Sequence, residues 1–221
     1  MTSASPHRFI VIEGPIGVGK SSLARRLGES LSAQLVLEQA DQNPFLERFY
    51  KNPRAAAFQA QLFFLFQRAR QLEEVRQADL FGTVRVADYL LEKDQLFARV
   101  TLDDAEYGLY EKVYARVVVD APKPDLVVYL QAPLDVLMDR IAKRGIKYEQ
   151  YLERGYLEKL MQAYARFFHG YDAAPLLIVN SAAIDPVNDD EDYQVLLAEI
   201  LKPRRGRHFF NPVGRSLLSN P

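Results

Sequence analysis

The chain has 221 residues, 48% of them hydrophobic, enough to bury one sizeable core within a single domain. Its 28 basic residues nearly balance 29 acidic ones, so no global field recruits nucleic acid or an anionic membrane, and an acidic ligand must be held locally. The lack of cysteine excludes disulfides, thiolate metal sites and cysteine nucleophiles, and no apolar run approaches the ~18 residues of a membrane span.

The first segment, MTSASPHRF, has no apolar h-region of the kind a secretory signal needs, and a cytoplasmic protein is the expectation. Residues 9–12, FIVI, read as a strand, followed by the glycine-rich GPIGVGKSS and a helix over 20–32. A strand over 35–37 precedes helices over 44–50 and 53–77. Pro44 and Pro53 stand where helix starts tolerate proline, and Asp41, Asn43 and Asn52 are candidate caps. Within the second helix, FQAQLFFLF is apolar almost all round, so its two glutamines need buried partners. A strand over 83–87, a helix over 103–118 and a strand over 125–130 follow. Helices over 133–143 and 151–171, a strand over 176–179 and a helix over 191–201 complete the pattern. The strands are continuous Val, Ile, Leu and Tyr runs rather than alternating ones, as in strands covered on both faces. Alternating strands and helices of this kind predict a three-layer α/β fold with a parallel sheet. Residues 1–203 are read as one domain, and 204–221, rich in Pro, Gly and Arg, as a poorly ordered basic tail.

Gly14, Gly19, Lys20 and Ser21 fit G-x-x-x-x-G-K-[ST] between a strand and a helix, with Gly17 and Ser22 in the same loop. Glycines let backbone N–H groups curl around an anion, the helix N-terminus adds positive potential, Lys20 reaches the outer phosphates, and Ser21 offers a hydroxyl to Mg²⁺. The motif implies a nucleoside triphosphate without naming the task. N-K-x-D, which a GTPase uses for guanine, is missing, and the D-x-x-G match at 79–82 is read as chance. A motor ATPase drives a second domain, and none is evident; a small-molecule kinase suits the length.

In an open parallel sheet, ligands gather at the carboxyl ends of the strands. Glu38 follows the second strand and is either a base for an attacking hydroxyl or an ordinary surface glutamate. Asp88 follows the third and is either a Mg²⁺ ligand or a helix cap. The sequence VVVD at 117–120 imitates the same pattern but reads as a helix end. Arg140 and Arg144, spaced i, i+4 near Lys143 and Lys147, are either a clamp on a transferring phosphoryl group or a solvated helix face.

Taken together, IEGPIGVGKSS, DQNPFLERFYKNP, FQAQLFFLFQRAR, LMDRIAKRGIKYEQ and YLEKL, in that order, resemble the deoxyribonucleoside kinase family of deoxycytidine, deoxyguanosine and bacterial deoxyadenosine kinases. The resemblance implies a P-loop kinase fold with a five-stranded parallel sheet and a short lid at about 140–150. It implies ATP as donor, Mg²⁺, a homodimer, and transfer to the 5′-hydroxyl of a deoxyribonucleoside in nucleotide salvage, with purines slightly preferred. Residue by residue, it makes Glu38 the general base, Tyr50 and Glu149 the pair on the sugar 3′-hydroxyl, and Gln61 the reader of the base edge. It makes Arg68 a base-side arginine, Phe97 the ring stacked on the base, and Arg140 and Arg144 lid arginines over the donor phosphates.

Where relatives carry an acid-Arg-Ser sequence, an ungapped reading gives Ala87-Asp88-Tyr89, which displaces the acid by one position and removes the arginine. Ala60 replaces a usual aromatic and leaves room for a larger base. Ile146 replaces a further lid arginine, with Lys147 its stand-in. Lys93 falls on the position of an aspartate that partners the base-side arginine, where it would repel Arg68. Two other readings remain: a nucleoside monophosphate kinase resembling thymidylate kinase, and a nucleotide-binding protein with weak or lost catalysis.

Overall fold

The computed structural model describes residues 5–77, 83–118 and 121–212. The D-x-x-G match at 79–82, Asp120 and the tail beyond 212 lie outside these. Six parallel strands form one sheet in the order β2-β3-β1-β4-β5-β6: β1 Phe9–Glu13, β2 Gln34–Val36, β3 Arg85–Ala87, β4 Leu126–Gln131, β5 Leu176–Asn180 and β6 Arg207–Phe210. Among the described residues eight α-helices connect or flank them: α1 Lys20–Leu31, α2 Leu46–Lys51, α3 Pro53–Gln77, α4 Lys93–Thr101, α5 Asp104–Val117, α6 Leu134–Arg144, α7 Arg154–His169 and α8 Asp190–Ile200.

The three-layer arrangement follows from the strand period. Side chains alternate across the sheet, so Ile10 and Ile12 pack with Leu23 and Leu27 of α1, Leu137 of α6 and Leu196 of α8. Phe9 and Val11 enter the opposite core with Leu72 of α3, Leu96 of α4 and Tyr164 of α7. Every residue of β1 is buried, which explains why this strand has no polar alternation. Strand β1 lies between β3 and β4. The chain therefore leaves β1 at a switch point of the sheet, where Gly14–Ser22 crosses the carboxyl edge.

Three elements depart from expectation. The sheet has six strands rather than five, because Arg207–Phe210 runs parallel to β5 inside the segment expected to be a disordered tail. Its cations close helix ends: Arg207 donates to the carbonyls of Phe168 and His169 at the end of α7 (3.0 and 2.6 Å), and Arg204 to Glu199 O. Helix α4 also went unread, and the helix expected over 151–171 is split. A 3-10 turn, Lys147–Tyr151, precedes α7, which starts at Arg154. In α3, Gln61 is buried as expected, whereas Gln59 faces solvent and Phe66 is 53% exposed, so that helix is not covered on all sides.

Candidate active site

The loop after β1 is shaped by glycine where no other residue fits. At Gly17, with φ of 84°, a Cβ would lie 2.7 Å from Ile141 Cγ1 and 2.9 Å from Leu137 O. Gly19 caps α1 with φ of 102° and no side-chain bond, and the first turn of α1 carries no acid. The opening N–H groups of α1 and its positive end therefore face the loop unopposed by a side chain. Lys20 Nζ donates to the carbonyls of Gly14 (2.8 Å) and Pro15 (3.1 Å), folding back over the loop it would share with a phosphate. Burial, and then the charge of Lys93, lower Lys20 to about 8.

Asp88 stands at the carboxyl end of β3, accepts from Ser21 Oγ, and accepts from the Glu38 amide at 2.7 Å. It does not cap α4, whose N-cap is Glu92. Burial, and then the charge of Glu38, raise the Asp88 carboxyl above its ordinary value. Two oxygens, one hydroxyl and one carboxylate, are the few hard ligands from which a protein holds Mg²⁺ when nucleotide phosphates supply others. No cluster of three or more His, Cys, Asp or Glu capable of holding a metal occurs among the described residues, so the donor set fits a phosphate-borne Mg²⁺ and not an all-protein metal cage.

Glu38, just past β2, is the centre of a charge network. It accepts from Arg68 Nε (3.0 Å) and Nη2, and from Lys93 Nζ at 3.0 and 3.2 Å on its two oxygens. Burial would raise its carboxyl, but Arg68 and Lys93 outweigh burial and hold it well below the usual carboxylate range. The far side of Arg68 meets Asp94, with Nη1 2.8 Å from Oδ2 and both side chains almost fully buried. This corrects the sequence reading at Lys93. The aspartate partner of Arg68 is Asp94, one residue on, and Lys93 turns to Glu38. The same one-residue step makes Asp88 the acid after β3. Tyr89 then stands in the arginine's place, with its hydroxyl 2.9 Å from Gln71 Oε1 and its ring in the core.

Glu38, Arg68, Asp88 and Lys93 line a cavity of about 300 Å³ that reaches from Lys20 and Ser21 to Gln61, Ala60 and Phe97. Gln61 Nε2 donates to Thr101 Oγ1 (3.3 Å), while its Oε1 is buried without a hydrogen-bond partner. Tyr50 lines the same space, its ring stacked on Tyr148 with centroids 5.9 Å apart and planes 6° apart. Glu149 is buried and paired with Arg144, with Nη2 to Oε1 at 2.5 Å. That pair ties the end of α6 to the 3-10 turn and brings both side chains to the cavity wall. Arg140 does not line this cavity. Its guanidinium donates to Ser181 O (3.0 Å) and Val18 O (3.4 Å), bracing the loop from behind. Ile146 lines the cavity and Lys147 does not, so Lys147 does not take the place there of the further lid arginine.

Glu13, which the sequence reading passed over, accepts from Gly14 N (2.8 Å), Leu90 N (2.6 Å) and Tyr164 Oη (2.8 Å). It locks the start of the loop to the turn after β3 and to α7. An acid ending the otherwise apolar FIVIE was the available signal.

A Gly-Lys-Ser loop at the switch point, an acid after the third strand, and a cavity continuous with both define a phosphotransferase of the P-loop type. The family model described as deoxynucleoside kinase matches residues 10–203. A deoxyguanosine kinase of Bacillus subtilis is 35% identical over 197 residues, spanning 87% of this chain and 95% of the relative. A deoxyadenosine kinase of Lactobacillus acidophilus is 31% identical over 207 residues, spanning 87% and 94%. The structure of deoxyadenosine kinase from M. mycoides with bound dATP superposes with a TM-score of 0.77 at 26% identity, spanning 89% of this chain and all of that one. The chain belongs to the deoxynucleoside kinase family and is a kinase.

Proposed function

We propose that the protein transfers the γ-phosphoryl group of ATP to the 5′-hydroxyl of a deoxyribonucleoside, with Mg²⁺, as a cytoplasmic homodimer serving nucleotide salvage, and that it prefers purines. The observation that carries this reading is the single cavity joining Lys20 and Ser21 to the unsatisfied Gln61 amide through Glu38. A carboxylate at the junction suits a hydroxyl acceptor, whose proton it receives. It would repel the phosphate of a monophosphate acceptor, and its neighbour Arg68 is already shared between two carboxylates. Gln61 offers one donor and one acceptor, the pair of groups by which glutamine reads an adenine edge. Ala60 leaves space beside it, and Phe97 supplies a ring for stacking.

In this reading the loop amides and Lys20 hold the donor, and Glu38 aligns the 5′-hydroxyl and takes its proton. Tyr50 and Glu149 hold the sugar, and Arg144 faces the transferred group. Mg²⁺, held by Ser21 and Asp88, would supply charge neutralisation on the donor phosphates. ADP release should be measured with the four common deoxynucleosides and, separately, their monophosphates, with Lys20→Ala as control. Turnover of the nucleosides, purines fastest, is expected. Turnover of monophosphates alone would overturn the reading, and ATP binding without turnover of any acceptor would favour a non-catalytic role.

Lys20 gives a pH signature. Its value of about 8 in the free protein reflects burial and Lys93, set against the charges of Glu13, Glu38 and Asp88. Above pH 8 the loop loses its cation, so kcat/KM for ATP should fall there. Bound phosphates raise Lys20, so kcat should hold to higher pH. Unfolding has the opposite sign: the unfolded chain binds more protons between about 8 and ~10.4, so Lys20 adds stability as pH rises through that window. A kcat/KM profile for ATP that stays level past pH 9.5 would contradict the assignment.

For the dimer, the exposed Phe66 of α3 and Leu109 of α5, 53% and 52% accessible on two helices that pack together, offer an apolar face. Sedimentation should give twice the chain mass, and Phe66→Glu should reduce it to one. An unchanged mass in the variant would exclude this face.

A further inference from the structure

We propose that Lys93 is a catalytic cation that leaves Glu38 during turnover to stabilise the transferring phosphoryl group. The inference rests on the acceptor reading above. Lys93 opens α4, is almost wholly buried, and lies in the wall of the cavity with its ammonium on both oxygens of Glu38. The residue after Asp88 is no rival for this role, because Tyr89 is committed to Gln71 and the core.

Glu38 holds both cations by its negative charge, and on taking the hydroxyl proton it loses that charge and with it the hold on one of them. Of the two, Arg68 is fixed: it is shared between Glu38 and Asp94, and its guanidinium lies 4.9 Å from the Phe64 ring centroid. Among the described residues Lys93 pairs with no carboxylate beyond Glu38, and its charge is a compact ammonium on a flexible stem. It lines the same cavity as Lys20 and Ser21, the residues of the phosphate loop. Buried Lys93 and half-buried Lys20 line one cavity with Glu38, so an anion entering it meets both cations.

The step balances as an in-line displacement. The 5′-oxygen forms a bond to the γ-phosphorus, the bond from that phosphorus to the β–γ bridging oxygen breaks, ADP leaves with the electron pair, and the hydroxyl proton passes to Glu38. As that carboxylate is neutralised, the attraction holding Lys93 to it disappears, while negative charge on the phosphoryl oxygens persists. Lys93 transfers its interaction accordingly.

The test compares Lys93→Met and Lys93→Arg with the unmodified protein, using ATP and the deoxynucleoside it phosphorylates fastest. Binding of ADP alone, and of ADP with aluminium fluoride and the same nucleoside, is measured alongside. The methionine variant should lose about 100-fold in kcat, the scale of one preorganised charge donor, with both KM values within about threefold. The arginine variant should recover at least about tenfold of that. ADP affinity should be unchanged, and the fluoroaluminate complex weakened in proportion to kcat. The proposal is overturned if the methionine variant turns over within about threefold of the unmodified protein, or if both affinities fall together. It is also overturned if an arginine variant with unaltered melting is no faster than the methionine one. An unmodified protein inactive on all deoxynucleosides would instead overturn the acceptor reading.

Discussion

Glu38→Gln should lower kcat for deoxynucleoside phosphorylation by about 10²–10⁴-fold, the range of a lost general base, with a smaller change in the nucleoside KM. Glutamine keeps the side-chain volume and an acceptor oxygen, so the 5′-hydroxyl can still be bound. It cannot take the proton. The depressed carboxyl of Glu38 shows that its proton affinity is low while Arg68 and Lys93 hold it. Its strength as a base therefore depends on loosening one of those cations when the acceptor enters, and the ion pair to Lys93 is the one that can open. The same depression makes Glu38 a stability term that is present above the ordinary carboxylate value and lost as pH falls toward the folded one. The variant should thus melt lower at pH 7, with the gap closing in strong acid. If kcat stays within tenfold, the hydroxyl proton is going elsewhere.

How much of this was legible in the sequence varies with the kind of signal. The phosphate loop was complete, because a glycine pattern between a strand and a helix is a local device, and Lys20 and Ser21 lie where it put them. The first five strands in chain order were readable as short apolar runs. Strand β6 was not, since RHFF is short, mostly exposed, and held by Arg207 bonding to the distant carbonyls of Phe168 and His169, which no local pattern reports. Helix α4 opens with Lys93 and Asp94, both buried, so its charges imitate a loop. An ungapped comparison puts Lys93 on the aspartate's position, whereas the partner of Arg68 is Asp94, a pairing across two helices that no local pattern reports. Arg140 and Arg144 share a helix face by spacing, yet only Arg144 reaches the cavity, because Val18 and Ser181 capture Arg140.

Asp94→Ala should be the most destabilising single change in the site, by about 3–5 kcal/mol, the cost of removing one partner from a buried ion pair. At about 2–4 °C per kcal/mol for a chain of this size, the melting temperature should fall by roughly 6–20 °C. The Asp94 side chain is fully buried, with Arg68 at 2.8 Å, so solvent cannot replace the lost charge. Burial alone would drive the Arg68 cation toward neutrality; Asp94 and Glu38 together keep it charged and hold its value above the ordinary one. Without Asp94, Arg68 has Glu38 as its one remaining carboxylate, and the pair must close more tightly. Activity should therefore fall as well, since the carboxylate that has to accept the hydroxyl is now the sole counterion of a buried guanidinium. Asp94→Asn separates the two effects. An amide restores a hydrogen bond to Arg68 but no charge, so it should recover part of the melting temperature while kcat stays low. An alanine variant melting within about 1 °C of the unmodified protein would mean that Arg68 finds water or another anion, and that the network is less dry than its burial indicates.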